Sequence, residues 1–273
     1  MSMSPPRVVL VTGASTGIGR ATALAAAAAG WTVLAGMRKP GDLPGTQVVP
    51  LDVTDPATVD AALSTVDRLD AVVNNAGIAN NAFTLEQASL EAIRANLEVN
   101  FFGVLTVTKA ALPLLRASRG RLLTIGSVRG VIGQPFNEAY SAAKFAIEGY
   151  LEALAPTLAT LGVTTCMIEP AAVLDTSFVA SSPLDPAALL AAAGPYTDAF
   201  AAYRRFVASG AIEAAQTAAE VAAVVVEALT ADSPPFRIPT SAHAARYIAR
   251  KLSDVDGSAV AAAMQQILQT PLH

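Results

Sequence analysis

The sequence predicts an α/β protein built on a doubly wound parallel sheet of about seven strands, with helices on both faces. Short β-branched runs, bounded by Gly, Pro or Asp, alternate with longer alanine-rich stretches, which is the pattern of βαβ units. Most of these runs are apolar throughout, as expected of strands covered on both faces. No Gly/Ser linker or charge run breaks the alternation, so residues 1–273 are predicted to form a single domain.

Strands are predicted where β-branched and apolar residues run up to a turn residue. The predicted strands are 7–12, 32–36, 47–51, 71–74, 120–126, 163–168 and 236–238. The alanine-rich stretches between them predict helices. The predicted helices are 17–29, 55–66, 85–96, 99–117, 137–161 and 217–230. A segment rich in proline and aromatic residues, 175–215, interrupts the alternation, and a C-terminal extension follows at 240–273.

Composition argues against several classes of function. Charged residues make up 15%, against about 25% in an average soluble domain, so part of the apolar surplus is expected in a subunit interface. The net charge of −4 comes without a Lys/Arg block, which argues against nucleic acid as a partner. No uninterrupted apolar run approaches the roughly 20 residues of a membrane helix, and no leader is recognised, so we expect a cytoplasmic protein without a membrane span.

Cysteine and histidine indicate neither redox nor metal chemistry. Cys166 is alone and lies in an apolar run, where a thiol behaves as a small buried hydrophobe. His243 and His273 have no ligand or triad pattern, so we interpret them as surface or capping residues and expect no metal.

A glycine-rich segment, 12–19, follows the first strand and opens the first helix. Glycines there let the backbone turn sharply and approach a pyrophosphate, whose charge is met by free N–H groups and the positive helix end. The spacing is G-x-x-x-G-x-G, and the alternative is a tight strand-to-helix turn that needs small residues for packing. The candidate contacts are Gly13, Ser15, Thr16, Gly17, Ile18 and Gly19.

Tyr140 and Lys144 lie four residues apart in a helical stretch, so the phenol and the ammonium emerge on one face. A tyrosine acts as general acid or base near neutrality only if its pKa of about 10 is lowered, and a fixed cation does that. Ser127 follows a predicted strand, where its hydroxyl can hold a carbonyl oxygen toward the tyrosine. The alternatives are a solvated helix face for the pair and a strand-end hydroxyl that satisfies the backbone for Ser127.

Over residues 7–176 the chain resembles the short-chain dehydrogenase/reductase family, with the motifs in the same order. The segment 12–19 resembles the family's T-G-x-x-x-G-I-G, Asp52-Val53 resembles its D-V, and 74–77 resembles its N-N-A-G. Its catalytic Asn, Ser, Tyr and Lys are matched by Asn100, Ser127, Tyr140 and Lys144. The resemblance implies a Rossmann-type fold and an oxidoreductase with a nicotinamide cofactor.

The resemblance also implies a role for each catalytic position. Tyr140 would pass a proton to or from the substrate oxygen, which Ser127 would orient. Lys144 would lower the pKa of the phenol and hydrogen-bond the nicotinamide ribose. Asn100 would hold a water that links Lys144 to solvent, and its alternative is a residue that kinks a helix. Besides Tyr140 and Lys144, the implied cofactor contacts are Asp52, Val53, Asn74, Ala76, Gly77, Pro170, Val173 and Thr176.

The end of the second strand indicates which nicotinamide nucleotide is used. Folds that prefer NAD place a carboxylate near here to accept from the ribose 2′-OH, and Met37 stands at that position instead. Arg38 follows, whose guanidinium can grip a 2′-phosphate, and Lys39 adds positive charge. NADP(H) is therefore expected, with Ser15 as a further contact to the phosphate; the alternative is that Arg38 is a solvated loop cation.

Two departures from the family pattern affect the nicotinamide side. The family usually shows Pro-Gly after the sixth strand, where this chain has Pro170-Ala171, and alanine fits only if that position does not need a positive φ. Thr176 also comes one residue further from the proline than is usual.

The segment 175–215 occupies the place where the family builds its substrate lid. Its aromatic residues either wall an apolar pocket or pin a lid helix onto the sheet. They are Phe178, Tyr196, Phe200, Tyr203 and Phe206. Residues 233–239 and the Met37-Arg38 pair resemble the branch that includes 17β-hydroxysteroid and retinol dehydrogenases.

The expected function is therefore an NADP(H)-dependent oxidoreductase that interconverts a hydrophobic ketone or aldehyde and its alcohol. The alternatives are a non-catalytic NADP(H)-binding sensor or scaffold and an NAD-linked alcohol dehydrogenase. A homodimer or homotetramer is expected through the helices 99–117 and 137–161, as in relatives.

Overall fold

The computed structural model describes residues 6–79, 84–176 and 190–269. Its strands are β1 (Val8–Thr12), β2 (Thr32–Met37), β3 (Gln47–Pro50), β4 (Ala71–Asn74), β5 (Arg121–Ile125), β6 (Thr164–Glu169) and β7 (Arg237–Pro239). Its helices are α1 (Gly17–Ala28), α2 (Pro56–Leu63), α3 (Leu90–Leu97), α4 (Gly103–Ser118), α5 (Glu138–Ala159), α6 (Thr197–Ala214), α7 (Ala218–Thr230), α8 (Ala242–Leu252) and α9 (Ser258–Gln269). A π-helical turn, Glu98–Phe102, joins α3 to α4, and a 3-10 turn, Val128–Gly130, follows β5.

The strands form one sheet in the order β3-β2-β1-β4-β5-β6-β7, and every neighbouring pair is parallel. The chain runs outward from β1 through β2 to β3, then crosses back to β4 on the other side of β1. The strand order reverses there, so the loops that follow β1 and β4 open a crevice at the carboxyl edge of the sheet. The predicted doubly wound sheet is confirmed.

Both faces of the sheet are covered by helices, which explains why the strands are apolar throughout. Successive β1 residues point to opposite faces, so Val9 and Leu10 belong to different core clusters. The Val9 side packs on α1 and α7 through Ala23, Ala26, Val221 and Val225. The Leu10 side packs on α4 and α5 through Val104, Val107, Ile147 and Leu151.

Predicted strand ends lie within one residue of the observed ones, whereas several predicted helix ends are wrong. The helix predicted from 85 begins at Leu90, because the Ser89 hydroxyl caps it by accepting from the Ala92 N–H at 3.1 Å. The helix predicted from 99 begins at Gly103, after the π-helical turn. The helix predicted to end at 66 ends at Leu63, because the hydroxyls of Ser64 and Thr65 donate hydrogen bonds to carbonyl groups of its last turn.

The C-terminal extension, for which the sequence reasoning gave no helices, contains α8 and α9. Ser241 caps α8 by accepting from the Ala244 N–H at 3.1 Å. Tyr247 and Ile248 lie on the same face as Ala244 and pack on the turn after β5. The sequence does carry a signal for α8, namely a capping serine followed by apolar residues at helical spacing.

One described helical stretch, 90–118, is long and apolar enough to cross a membrane by length and composition alone. Core helices of soluble proteins meet the same criterion, and here Val107, Ala111 and Leu115 are fully buried against the sheet. The stretch is weak evidence for a span, and the expected absence of a span stays a prediction.

Candidate active site

The glycine loop lies between β1 and α1 at the carboxyl edge of the sheet. Gly13 has a φ of +66°, and a Cβ there would lie 2.8 Å from the Ala76 Cα. Gly19 is packed so closely that a Cβ would overlap the Asn75 Nδ2 and the Gly13 carbonyl oxygen. Only glycine meets these demands of left-handed backbone and close approach.

The loop also fits the phosphates of a dinucleotide. Ser15 and Thr16 are exposed at the start of α1, and the first turn of α1 carries no acidic residue. The positive end of the helix is therefore not neutralised by the chain's own carboxylates. Ile18, in contrast, packs against the core on the α1 side of the sheet.

Thr12 and Asn75 brace the glycine loop against the loop after β4. The Thr12 hydroxyl accepts from the N–H groups of Asn75 and Ala76, both at 3.0 Å. The Asn75 amide donates to the carbonyls of Thr12 and Gly13 at 2.9 and 3.2 Å. Asn75 lies in the N-N-A-G segment but was not among the predicted site residues.

The side chain of Asn74 is turned into the protein. Its amide donates to the Thr108 hydroxyl at 3.0 Å, and the residue is buried. This side chain therefore ties β4 to α4, and only the backbone of Asn74 stays predicted to contact a cofactor. Gly77 is next to Asn100, since a Cβ there would lie 2.7 Å from the Asn100 Oδ1.

On the adenine side, the predicted contacts lie at the ends of β2 and β3. Arg38 and Lys39 are exposed after β2, whereas the Met37 side chain is buried in the core. Hydrogen bonds from Thr54 lower the pKa of Asp52, and the nearby Arg38 charge contributes in the same direction. Val53, buried, packs against α4.

The nicotinamide-side loop accommodates both departures from the family pattern. Among the described residues, only Arg119 and Phe136 combine a side chain with a positive φ, so Ala171 meets no strain. Val173 forms a β-bridge with Gln216, which fixes the loop. Pro170 accepts from the Val128 N–H at 3.1 Å.

Thr176 reaches the glycine loop in spite of its shifted position. A Cβ on Gly17 would lie 3.1 Å from the Thr176 Cγ2, so the two loops are in close approach. The Thr176 hydroxyl donates to the Val173 carbonyl at 3.3 Å. Thr176 therefore lies against the glycine loop, and its contact with the cofactor stays a prediction.

Asn100 sits in the π-helical turn and is fully buried. Its amide donates to the carbonyls of Ile78 and Asn96 at 2.8 and 3.0 Å, and its Oδ1 accepts from the Ile78 N–H at 3.2 Å. Asn100 therefore marks a helix irregularity, as its alternative interpretation expected, and also fixes the loop after β4. The water that it would hold stays a prediction.

Ser127, Tyr140 and Lys144 come together beside this crevice, and all three are buried. Ser127 follows β5 and accepts from the Arg129 N–H at 3.1 Å, which caps the 3-10 turn. The Lys144 ammonium donates to the Ile125 carbonyl at 2.8 Å and lies 5.7 Å from the Tyr140 ring centroid.

The expectation that Lys144 makes the phenol unusually acidic is wrong for this structure. Burial raises the pKa of Tyr140, and it outweighs the lowering effects of the Arg129 charge and of a hydrogen bond with Ser127. Burial also lowers the pKa of Lys144 to about 8. Because burial disfavours the phenolate, the phenol of Tyr140 rests in its neutral form.

The aromatic residues of the lid segment pack on the loop that precedes Tyr140. Phe136 has a φ of +59°, and its ring lies 5.0 Å from that of Phe200 and 5.6 Å from that of Tyr203. This packing matches the interpretation that aromatics pin the lid helix, and the pocket-wall interpretation stays a prediction. Tyr196 donates to Glu86 at 2.6 Å, Phe206 is partly exposed, and Phe178 lies outside the described residues.

Potential metal ligands are dispersed within residues 6–79, 84–176 and 190–269. No group of three His, Cys, Asp or Glu side chains converges there. Cys166 is buried, as predicted, and burial raises the pKa of its thiol to about 11. His243 is exposed and stacks on Tyr247, and His273 lies outside the described residues.

Comparisons with known proteins agree with this geometry. Residues 7–186 match the family model described as short chain dehydrogenase. A 3-ketodihydrosphingosine reductase of Bacteroides thetaiotaomicron is 38% identical over 60% of this chain, and the match spans 63% of that relative's length. The 17-beta-hydroxysteroid dehydrogenase type 1 of Mus musculus is 35% identical, over 96% of this chain and 81% of its own.

A solved structure shares both the fold and part of the sequence. A short chain dehydrogenase from Burkholderia cenocepacia J2315 in complex with NADP has a TM-score of 0.75 and 25% identity, over 96% of this chain and 97% of its own. Fold, crevice and buried Ser-Tyr-Lys group together define a nicotinamide-dependent oxidoreductase. The chain belongs to the short-chain dehydrogenase family.

Proposed function

We propose that the protein interconverts a hydrophobic ketone or aldehyde and its alcohol, with NADP(H) as cofactor and Tyr140 as general acid and base. The observation that carries this proposal is the buried group of Ser127, Tyr140 and Lys144 beside the glycine loop. When bound, the nicotinamide cofactor supplies or accepts the hydride.

Tyr140 and Ser127 act on the substrate oxygen. In reduction, the neutral phenol of Tyr140 donates its proton to the carbonyl oxygen as negative charge develops there. The Ser127 hydroxyl holds the same oxygen and stabilises that charge. Since burial keeps the phenol protonated, the resting site is suited to reduction.

Lys144 holds the cofactor ribose and keeps the site cationic. An ammonium has three N–H donors, and the Ile125 carbonyl takes one of them, which leaves donors for ribose hydroxyls. Asn100, anchored on Ile78, would hold the water that connects Lys144 to solvent.

The preference for NADP(H) is supported by Arg38 and Lys39, which are exposed directly after Met37, the position where a carboxylate would select NAD. Replacing Arg38→Leu is expected to raise the KM for NADPH about 10- to 100-fold, the loss of a charge-assisted hydrogen bond of roughly 1.5–3 kcal/mol. The KM for NADH serves as the internal control and should stay within a few-fold. An unchanged KM for NADPH would show that Arg38 is a solvated cation.

The hydrophobic nature of the substrate is supported by the names of two relatives, a 3-ketodihydrosphingosine reductase and a 17-beta-hydroxysteroid dehydrogenase. The experiment is NADPH oxidation with a panel of steroid, long-chain and small polar carbonyls. Turnover of hydrophobic members above small polar ones is the expected result. Preference for small polar carbonyls would contradict the substrate class.

We also propose that two copies associate through α4 and α5. Phe101, in the π-helical turn that leads into α4, contacts the rings of Phe102 and Tyr150 at 5.0 and 5.9 Å, which joins this turn to α5 by aromatic packing. Phe102 and Tyr150 are nevertheless 50% and 48% exposed. Exposed aromatic surface of this kind is typical of protein interfaces.

A further inference from the structure

Arg129 is the centre of a network of polar side chains behind the catalytic serine. Its Nε donates to the Gln134 Oε1 at 2.7 Å and its Nη1 donates to the Asn137 Oδ1 at 2.9 Å. The Gln134 amide donates to the Tyr247 hydroxyl at 2.9 Å, and the Asn137 amide donates to the Tyr203 hydroxyl at 2.5 Å. These five residues form the Arg129 network.

The network joins parts of the chain that are distant in sequence. Arg129, Gln134 and Asn137 belong to the loop between β5 and α5, which carries Ser127 at one end and leads into Tyr140 at the other. Tyr203 lies on the lid helix α6, and Tyr247 lies on the C-terminal helix α8. The position of the guanidinium therefore depends on how both helices are seated.

Several charged groups surround the catalytic phenol. The backbone N–H of Arg129 donates to the Ser127 hydroxyl, and the Arg129 charge lowers the pKa of Tyr140 against the effect of burial. On α5, Lys144 is held by the Ile125 carbonyl, and Glu138 is exposed. Arg129 is thus a cation near the phenol whose position depends on the lid helix and the C-terminal helix.

We propose that Arg129 is a positioning residue of the active site, through which the seating of the lid helix and of the C-terminal helix is transmitted to Ser127 and Tyr140. The proposal rests on the proposed role of Tyr140. With both helices seated, Gln134 and Asn137 hold the guanidinium in place, and its positive charge favours the negative charge that develops on the phenol. With either helix displaced, Gln134 or Asn137 loses its tyrosine partner, and the guanidinium is no longer fixed.

The test is the pH profile of kcat/KM for oxidation of a hydrophobic secondary alcohol, in which Tyr140 must be ionised. Arg129→Gln is expected to move the rising limb to higher pH by about one unit, because a favourable cation is lost. Arg129→Lys keeps the positive charge, so its rising limb should lie close to the wild-type pH. Arg246→Gln, which removes an exposed cation from α8, is the matched control and should follow the wild type.

A second variant tests whether the two helices act on Tyr140 through Arg129, and it keeps the proposal testable if Arg129→Gln does not fold. The double variant Tyr203→Phe/Tyr247→Phe keeps both rings and is expected to move the limb in the same direction by a smaller amount. The pKa of Tyr140 is also measured without turnover. Each variant is titrated by ultraviolet absorbance, and the titration of the same variant carrying Tyr140→Phe is subtracted. A limb that stays in place in the folded variants overturns the proposal. Activity that survives Tyr140→Phe overturns the proposed function instead.

Discussion

Burial acts on Tyr140 and Lys144 in opposite directions. It raises the pKa of the phenol and lowers the pKa of the ammonium to about 8, because both charged forms lose hydration. Spacing in the sequence places the two groups on one helix face but says nothing about hydration. The direction of the Tyr140 shift therefore could not be predicted from residues 140 and 144 alone.

The raised pKa of Tyr140 predicts different pH profiles for the two reaction directions. Reduction needs the protonated phenol, so its kcat/KM should stay level through neutral pH and fall only in the alkaline range. Oxidation needs the phenolate, so its kcat/KM should rise toward the alkaline limit. Initial rates from about pH 6 to about pH 10 check this. An oxidation profile that is already level at neutral pH would contradict the neutral resting phenol.

At the scale of elements, α5, β6 and β7 meet at a group of charged side chains. Arg237 pairs with Glu148 at 2.7 Å and Glu152 at 2.5 Å, and its Nε lies 3.6 Å from the Glu169 carboxylate. Glu169 is fully buried, and burial together with the Glu148 charge raises its pKa to about 8. One cation thus faces three carboxyls, and Glu169 holds a proton at neutral pH.

This group predicts a pH-dependent effect of Glu169→Gln on stability. Because the folded pKa lies above the ordinary 4.5, the wild type loses stability as pH rises from about 4.5 to about 8. The amide does not ionise, so the variant should gain at least about 1 kcal/mol relative to wild type between these values. Denaturant unfolding at both pH values measures this difference, with the exposed Glu227→Gln, which lies outside this group, as control. A constant difference across the range would be the contrary result.

The elements themselves differ in how far the sequence predicts them. Strands were predicted within one residue because apolar β-branched runs end at turn residues. The start of α3 was missed because the Ser89 cap outweighs the apolar pattern before it. The π-helical turn at Asn100 was missed because its extra residue leaves the helical periodicity of the flanking residues intact.

At the scale of the whole molecule, the positions of the motif residues in the crevice could be predicted from the sequence. The long-range contacts that hold these residues in place could not. The motifs lie next to strand ends, so a parallel sheet brings them to one edge. Gln134 meets Tyr203 and Tyr247 across 69 and 113 residues of sequence, and no local pattern indicates such contacts. Phe136 likewise gives no sign in the sequence of its positive φ.

The proposed association predicts a change of mass in solution. Light scattering at micromolar concentration should give a multiple of the 27.9 kDa chain mass. Phe102→Asp places a charge in the exposed aromatic surface at the start of α4 and on α5, and it should shift the protein toward the mass of one chain. Leu252→Asp, at another exposed apolar site, should leave the mass unchanged. A wild-type mass of one chain would rule out the association.

The role of Tyr140 as proton donor is tested most directly by NADPH oxidation in Tyr140→Phe with the best carbonyl substrate. The variant keeps the ring and loses only the hydroxyl, so NADPH binding, followed by fluorescence, should be largely retained. Tyr150→Phe, an exposed tyrosine on the same helix, is the control. The account predicts a fall in kcat of at least about 100-fold for Tyr140→Phe alone. A kcat within a few-fold of wild type would contradict it.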